Sequence, residues 1–139
     1  MENDLLKGLA QLLATAGLGH YSATTAYPPD AVGIFLTDAP ETHPEAITLA
    51  SYGVSDDVDP DSTIGVQVRF RSASATACSD RASALFATLH ARWSLTVNGV
   101  RIEQVLRRNS APLGANNQGL FERVDSYYVD VHYPTTHRT

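Results

Sequence analysis

Residues 63–71 read TIGVQVRFR. Every second side chain, Ile64, Val66, Val68 and Phe70, is apolar, and Gln67, Arg69 and Arg71 stand between them. A period of two rich in β-branched residues reads as a strand with one dry face and one wet face. Sheets with one wet face are usually antiparallel, so this stretch sets the expectation for the whole fold.

Upstream of it, Ala46–Tyr52 alternates, with Ile47 and Leu49 facing one way, and reads as a second strand. Ala31–Leu36 is a short apolar run, strand-like because of Val32, Ile34 and Phe35. The connections are a Pro-bounded loop over 38–44 and an acidic loop, Gly53–Ser62, containing Pro60. The N-terminal segment Asn3–Ala16 reads as a helix capped by Asn3 or Asp4. Leu5, Leu6, Leu9, Leu12, Leu13 and Ala16 form one stripe, and Gly17 and Gly19 follow as stop signals.

Downstream, Ser74–Ala91 reads as a second helix, capped at Ser74 or Thr76, with Cys78, Ala82, Leu85, Phe86 and Leu89 at helical spacing. Trp93–Val97 and Val100–Leu106 flank Asn98-Gly99, a strong hairpin signal. Asn109–Gly119 reads as a long polar loop, of a length that is usually functional or mobile. Phe121–Tyr133 is a final strand. Phe121, Tyr127, Val129, Val131 and Tyr133 share one face, and Glu122, Tyr128, Asp130 and His132 share the other. Pro134–Thr139 is a polar tail. The expected architecture is α+β: an antiparallel sheet of about five to six strands with two helices packed on one face.

The 139 residues, 43% of them hydrophobic, fit a single domain with its own core. A lone cysteine excludes an internal disulfide and a multi-cysteine metal site. No apolar run reaches the 18 or so residues of a membrane span. Glu2, Asp4 and Lys7 do not suit a signal peptide, so a reducing compartment is expected.

The net charge of −5 hides a segregation. Between Gly8 and Val68 there is no Lys or Arg, but there are eight acids: Asp30, Asp38, Glu41, Glu45, Asp56, Asp57, Asp59 and Asp61. From Arg69 to Arg123 eight arginines face only Asp80, Glu103 and Glu122. One reading is a solvated surface whose signs happen to separate. Another is a protomer whose acidic and basic sides attract one another head to tail, giving rings or filaments. Nucleic-acid binding is disfavoured by the negative total and the absence of a basic run with interleaved aromatics.

Motifs for chemistry are absent: no GxGxxG, phosphate loop, HExxH or GxSxG occurs. No two histidines sit at i, i+4 on a helix, and no cofactor is expected. His20 and His43 fall in loops and read as solvated, while His90 suits a helix C-terminus. Asp57-Val-Asp59-Pro-Asp61 has the alternating oxygens of a calcium loop, but Ser62 and Val68 stand where that loop needs Gly and Glu. It reads as a solvated acidic turn, or as one that meets an arginine of a neighbouring subunit. Cys78 reads as a small core residue. An enzyme would have to use Tyr128, Asp130 and His132, which alternate along one strand face.

The layout resembles the siphophage tail terminators, also known as minor capsid proteins, of which the lambda type is the familiar example. The resemblance spans about residues 3–133. It runs through DLLKGLAQLLATAGLG, AVGIFLTDAP, TIGVQVRFRS, SDRASALFATLHAR, WSLTVNGVRIEQVLR and GLFERVDSYYVDVHY. RFRS directly before the second helix, and a polar Gly-containing loop before FxRVxxYxV, carry most of it.

That resemblance implies a structural virion protein of the tail or neck, assembled in the host cytoplasm, without catalytic residues. Its protomers would form a ring, typically a hexamer, which caps the last ring of the tail-tube protein and offers a joining surface to a head-closure or connector protein. DNA would pass through the lumen, which the acidic segment could line. A different neck protein or a tail-tube subunit is the alternative, and a small enzyme a more distant one. Expected contact residues are Asp56, Asp57, Asp59, Asp61, Arg69, Arg71, Arg107, Arg108, Asn116, Asn117 and Tyr128.

Overall fold

The alternation over 63–71 is realised in β3 (Asp61–Ser72). Ile64, Val66, Val68 and Phe70 are at most 1% exposed there, and Arg69 and Arg71 lie on the other side. The computed structural model describes residues 1–22 and 24–139. Around β3 lie α1 (Glu2–Thr15), β1 (Gly33–Leu36), β2 (Ala46–Asp56), α2 (Ala75–Leu89), β4 (Trp93–Val97), β5 (Val100–Ala115) and β6 (Phe121–His132). They form an α+β fold whose six strands run in the order β1-β2-β3-β6-β5-β4.

The sheet is mixed, because β1 pairs with β2 in parallel. The other four pairings are antiparallel, as expected, and β1 is the exception. The crossover is short because β1 is only four residues long. The intervening segment 37–45 spans up to about 30 Å when extended, enough to return past so short a strand. Arg71 pins this return by donating from Nη2 to the carbonyls of Pro40 (2.7 Å) and His43 (2.6 Å).

The loops are shorter than expected from composition. β2 runs on to Asp56 and β3 starts at Asp61, so Gly53–Asp56 and Asp61–Ser62 are strand rather than loop. Likewise β5 continues through Asn109–Ala115 and pairs with β6 as far as Ala115–Phe121. Register shifts between Arg107 and Asn109 and between Pro112 and Gly114 absorb the polar, proline-bearing sequence. Gly114 takes φ +77°, the left-handed backbone that such a bulge favours.

α1 touches β1 and β2 near one edge of the sheet and β4 and β5 near the other. One helix reaches both edges only if the sheet curls around it. The approach is close: a Cβ on Gly8 would lie 2.7 Å from Cβ of Val97 on β4. Leu5, Leu9 and Leu13, each 2% exposed or less, fill the trough. Each such leucine contributes roughly 2 kcal/mol of burial. No side chain caps the start of α1, so neither Asn3 nor Asp4 acts as the cap, and helix stability rests on this packing. α2 lies against β3, β5 and β6. Ser74 caps it by accepting from the Ala77 amide at 3.2 Å. Cys78 is buried in the core, and burial pushes its thiol pKa up.

His43 is not solvated: it is 6% exposed, with Nε2 2.7 Å from the Ala31 carbonyl. Its ring sits edge-on to Phe35, which stacks on Tyr27 at 4.6 Å. His20 joins the same cluster edge-on to Tyr27 and is half-buried. His90 follows α2 as expected, but its Nδ1 accepts the backbone amide of Arg107 at 2.9 Å.

Candidate functional site

Part of the acidic segment gathers at the β2–β3 end, while Asp38 and Glu41 lie elsewhere and Glu45 pairs with Arg81. Asp56, Asp57, Asp61, Glu103 and Asp130 line an open cleft of about 590 Å³ together with His132. Four of these carboxylates are held locally, and Glu103 lies 3.9 Å from Arg101. Asp56 accepts from Ser62 at 2.6 Å, Asp57 from the Val58 amide at 2.8 Å, and Asp130 from Thr63 at 2.6 Å. Asp61 lies 2.9 Å from His132 Nδ1. Among the described residues, no three His, Cys, Asp or Glu side chains are placed to hold a metal ion.

The arginine that meets this turn belongs to the chain's own tail. Arg138 donates to the carbonyls of Asp59 (2.9 Å) and Asp61 (2.6 Å) and to the Ser62 hydroxyl (3.1 Å). The Tyr133 amide also binds the Pro60 carbonyl at 2.6 Å. The polar tail is thus tied back along the acidic hairpin.

Beside the cleft lies an apolar pocket of about 260 Å³, lined by Tyr52, Gly53, Val54, Gly65 and Tyr128 and sharing Ser55 and Thr63 with the cleft. In register, Gly65 faces Gly53 on one side and Tyr128 on the other. The Tyr52 ring packs directly over it, so that a Cβ there would come within 2.5 Å of the ring and displace it. Burial raises the Tyr52 pKa, and the neighbouring Tyr128 hydroxyl adds to the rise. Tyr52 and Tyr128 remain 52% and 41% exposed, and the Arg108 guanidinium sits 5.5 Å from the Tyr128 ring.

Other arginines are engaged within the chain. Arg69 pairs with Glu122 at 2.6 Å. Arg107 lies over the Phe86 ring at 4.2 Å and 3.6 Å from Asp125. Asn116 organises the β5–β6 turn: its side chain accepts from the amides of Gln118 and Leu120 and donates to Glu122 at 2.9 Å. Asn117 is exposed at the tip of that turn. Burial lifts the carboxyl of Glu122, but Asn116 and Arg69 outweigh it and hold the group below its ordinary range. Burial likewise lifts Glu45, and the Ala73 amide, Ser72 and Arg81 together bring it down.

Two features escape a reading by alternation. Asp125 is 0% exposed, bonded to the Ser110 hydroxyl and flanked by Arg107 and Arg123 at 3.6 Å each. Tyr127 beside it has its pKa raised by burial and then by the Asp125 charge. Trp93, in line with Leu95 and Val97, would be expected inside, yet it is 73% exposed. Two left-handed non-glycine residues bracket it, Ala91 (φ +62°) and Ser94 (φ +56°). A positive φ at a residue other than Gly or Asn is not visible in sequence.

The would-be enzyme group is dispersed. Asp130 and His132 line the acidic cleft, whereas Tyr128 lines the apolar pocket beside it. The acidic cleft and the aromatic pocket are thus neighbouring but distinct surfaces.

Residues 12–133 match the model of the family described as bacteriophage tail terminator protein. The chain belongs to that family. It is accordingly a structural protein of the phage tail. A solved chain titled "Virion of native gene transfer agent (GTA) particle" shares the fold with a TM-score of 0.69 at 14% identity. The match covers 93% of this chain and 95% of that one. No curated protein sequence matches.

Proposed function

We propose that the chain closes into a ring on the end of the tail tube, stops its growth and presents a surface for joining the head. One observation carries this reading: the sheet has two unpaired half-edges at opposite sides. β1 pairs only with Ala46–Leu49, which leaves Ala50–Asp56 of β2 open. β4 pairs only as far as Gln104, and Ala91, Arg92 and His90 take up the backbone of Val105 and Arg107, which leaves Arg108–Ala115 of β5 without a strand partner on that side. Open edges invite pairing with another chain. The two differ in sequence, so contact between them is head to tail, which closes into a ring when the rotation per subunit allows it.

Charge supports the same direction of approach. The β2–β3 side carries Asp56, Asp57, Asp59 and Asp61, and the β4–β5 side carries the exposed Arg92 and Arg108, with Arg101 lying 3.9 Å from Glu103 of its own strand. Asn117 and Tyr128 add polar and aromatic contact. An acidic cleft turned to the lumen would let DNA pass without adhering. Six copies is the number the family resemblance implies.

The test is the native mass of the full-length protein across concentration, with electron micrographs of tail-tube protein polymerised in its presence. Closed oligomers and short, blunt-ended tubes are expected. Open filaments of the protein alone would make it a tube subunit. A strict monomer that neither caps nor shortens tubes would refute the assignment.

A further inference from the structure

We infer that Trp93 of one copy seats in the Tyr52–Val54–Gly65–Tyr128 pocket of the next, as the apolar centre of the contact between subunits. This rests on the ring reading above and specifies its interface.

The knob comes first. Trp93 sits on β4, the edge strand at one side of the sheet. It is 73% exposed, among the most exposed large apolar side chains. The backbone holds it there under strain, because Ala91 and Ser94 both take left-handed φ angles that β-carbon-bearing residues rarely adopt. Arg101 keeps Ser94 in place, with Nη2 2.9 Å from its hydroxyl. Strain persists where the surrounding structure enforces it, and it concentrates at functional positions. Tryptophan and arginine are also the residues most enriched where binding energy concentrates.

The socket lies across the sheet, on β2, β3 and β6. Its volume of about 260 Å³ admits an aromatic side chain. Gly53 leaves part of its wall without a side chain, the Tyr52 ring lies over Gly65, and Val54, Tyr128, Ser55 and Thr63 complete the lining. Tyrosine rings offer offset or edge-on partners to an indole.

Charge selects the orientation. Arg92 adjoins the knob, is exposed, and has no carboxylate partner among the described residues. The socket shares Ser55 and Thr63 with the cleft that holds Asp56, Asp57 and Asp130. Seating the indole therefore brings an unpaired cation towards a carboxylate-rich rim. Knob and socket occupy different surfaces, so the contact is heterologous and every copy uses both.

Trp93 is the only tryptophan in the chain, so its emission reports its own burial. On assembly of the full-length protein, the emission should shift to the blue and acrylamide quenching should fall. Trp93→Ala should raise the concentration needed for assembly by roughly tenfold or more, as truncation of a central anchor does. Val54→Lys, at a position 42% exposed, places a cation in the socket without touching the core and should do the same. Mixing the two variants leaves one sound knob and one sound socket, so the expected product is a one-to-one dimer that cannot close.

Rings in which Trp93 stays as quenchable as in the monomer, or a Trp93→Ala protein that assembles like the parent, would overturn this contact and leave the ring reading standing. An emission shift seen only on adding a different tail or head protein would overturn the choice of a second copy as occupant. A chain that stays monomeric, caps no tubes and keeps its emission unchanged overturns both.

Discussion

Asp125 is the position where the protein should be least tolerant of a change that leaves its shape intact. Its carboxylate is 0% exposed, accepts from Ser110, and has Arg107 Nη1 and Arg123 Nε each at 3.6 Å. At that separation and an effective dielectric of about 20, each guanidinium contributes some 4–5 kcal/mol of gross attraction, most of it offset by desolvation. Removing one partner of a buried pair costs about 3–5 kcal/mol. Here the arginine side chains are 27% and 22% exposed, so water recovers part of that. Losing the Ser110 bond adds back about 1 kcal/mol. The Asp125→Ala variant should therefore lose about 3 kcal/mol. For a chain of this size that is a fall of about 10 °C in Tm. Urea titration followed by circular dichroism, at concentrations below assembly, measures it directly. Replacing Asp125, Arg107 and Arg123 together by Leu, Met and Met should recover most of the loss, because no unpaired charge remains. If Asp125→Ala costs less than about 1 kcal/mol, or the triple variant is no better than the single one, the cluster is not the paired charge described here.

Three further outcomes follow from the geometry. Gly65→Val should push the Tyr52 ring off the sheet, since even a Cβ would lie 2.5 Å from it; a chemical-shift change at Tyr52 and Tyr128 with the rest of the spectrum unmoved would show this. The carboxyls of Glu45 and Glu122 are both held below the ordinary glutamate range in the folded protein, so their stabilisation is complete above the unfolded value and disappears as pH falls through the folded one; Glu45→Gln with Glu122→Gln should flatten the loss of stability on acidification, measured by urea midpoints across pH. Arg138→Ala should change global stability by less than about 1 kcal/mol because its contacts are at the surface, yet it should speed amide exchange at Tyr133, whose N–H binds the Pro60 carbonyl.

Much of the fold was legible because its signals are local. The leucine stripe of α1, the alternation of β3 and the Asn98-Gly99 turn each depend on neighbours within a few residues. Asn98 and Gly99 do take positive φ, at 45° and 78°. The surfaces were less legible. Asp56, Asp57, Asp59 and Asp61 were expected to contact other subunits, and Asp56, Asp57 and Asp61 do share a cleft, but Glu103 and Asp130 reach it from β5 and β6, far away in the chain. The tail arginine that binds the hairpin lies 77 residues from Asp61. The stretch 109–115 looked like a loop because proline and polar residues do not alternate, and only pairing with β6 makes it a strand.

Periodicity, turn chemistry and charge order, all carried by adjacent residues, were enough to define an α+β chain with separated acidic and basic stretches. Which strand lies next to which, that β1 runs parallel to β2, that Asp125 points inward among arginines and that Trp93 points out are settled by the folded molecule alone. The reason is the same in each case. These outcomes depend on which groups meet across the sheet and on how the curled strands bulge around α1, and a side chain's position in the sequence does not record what will be packed against it.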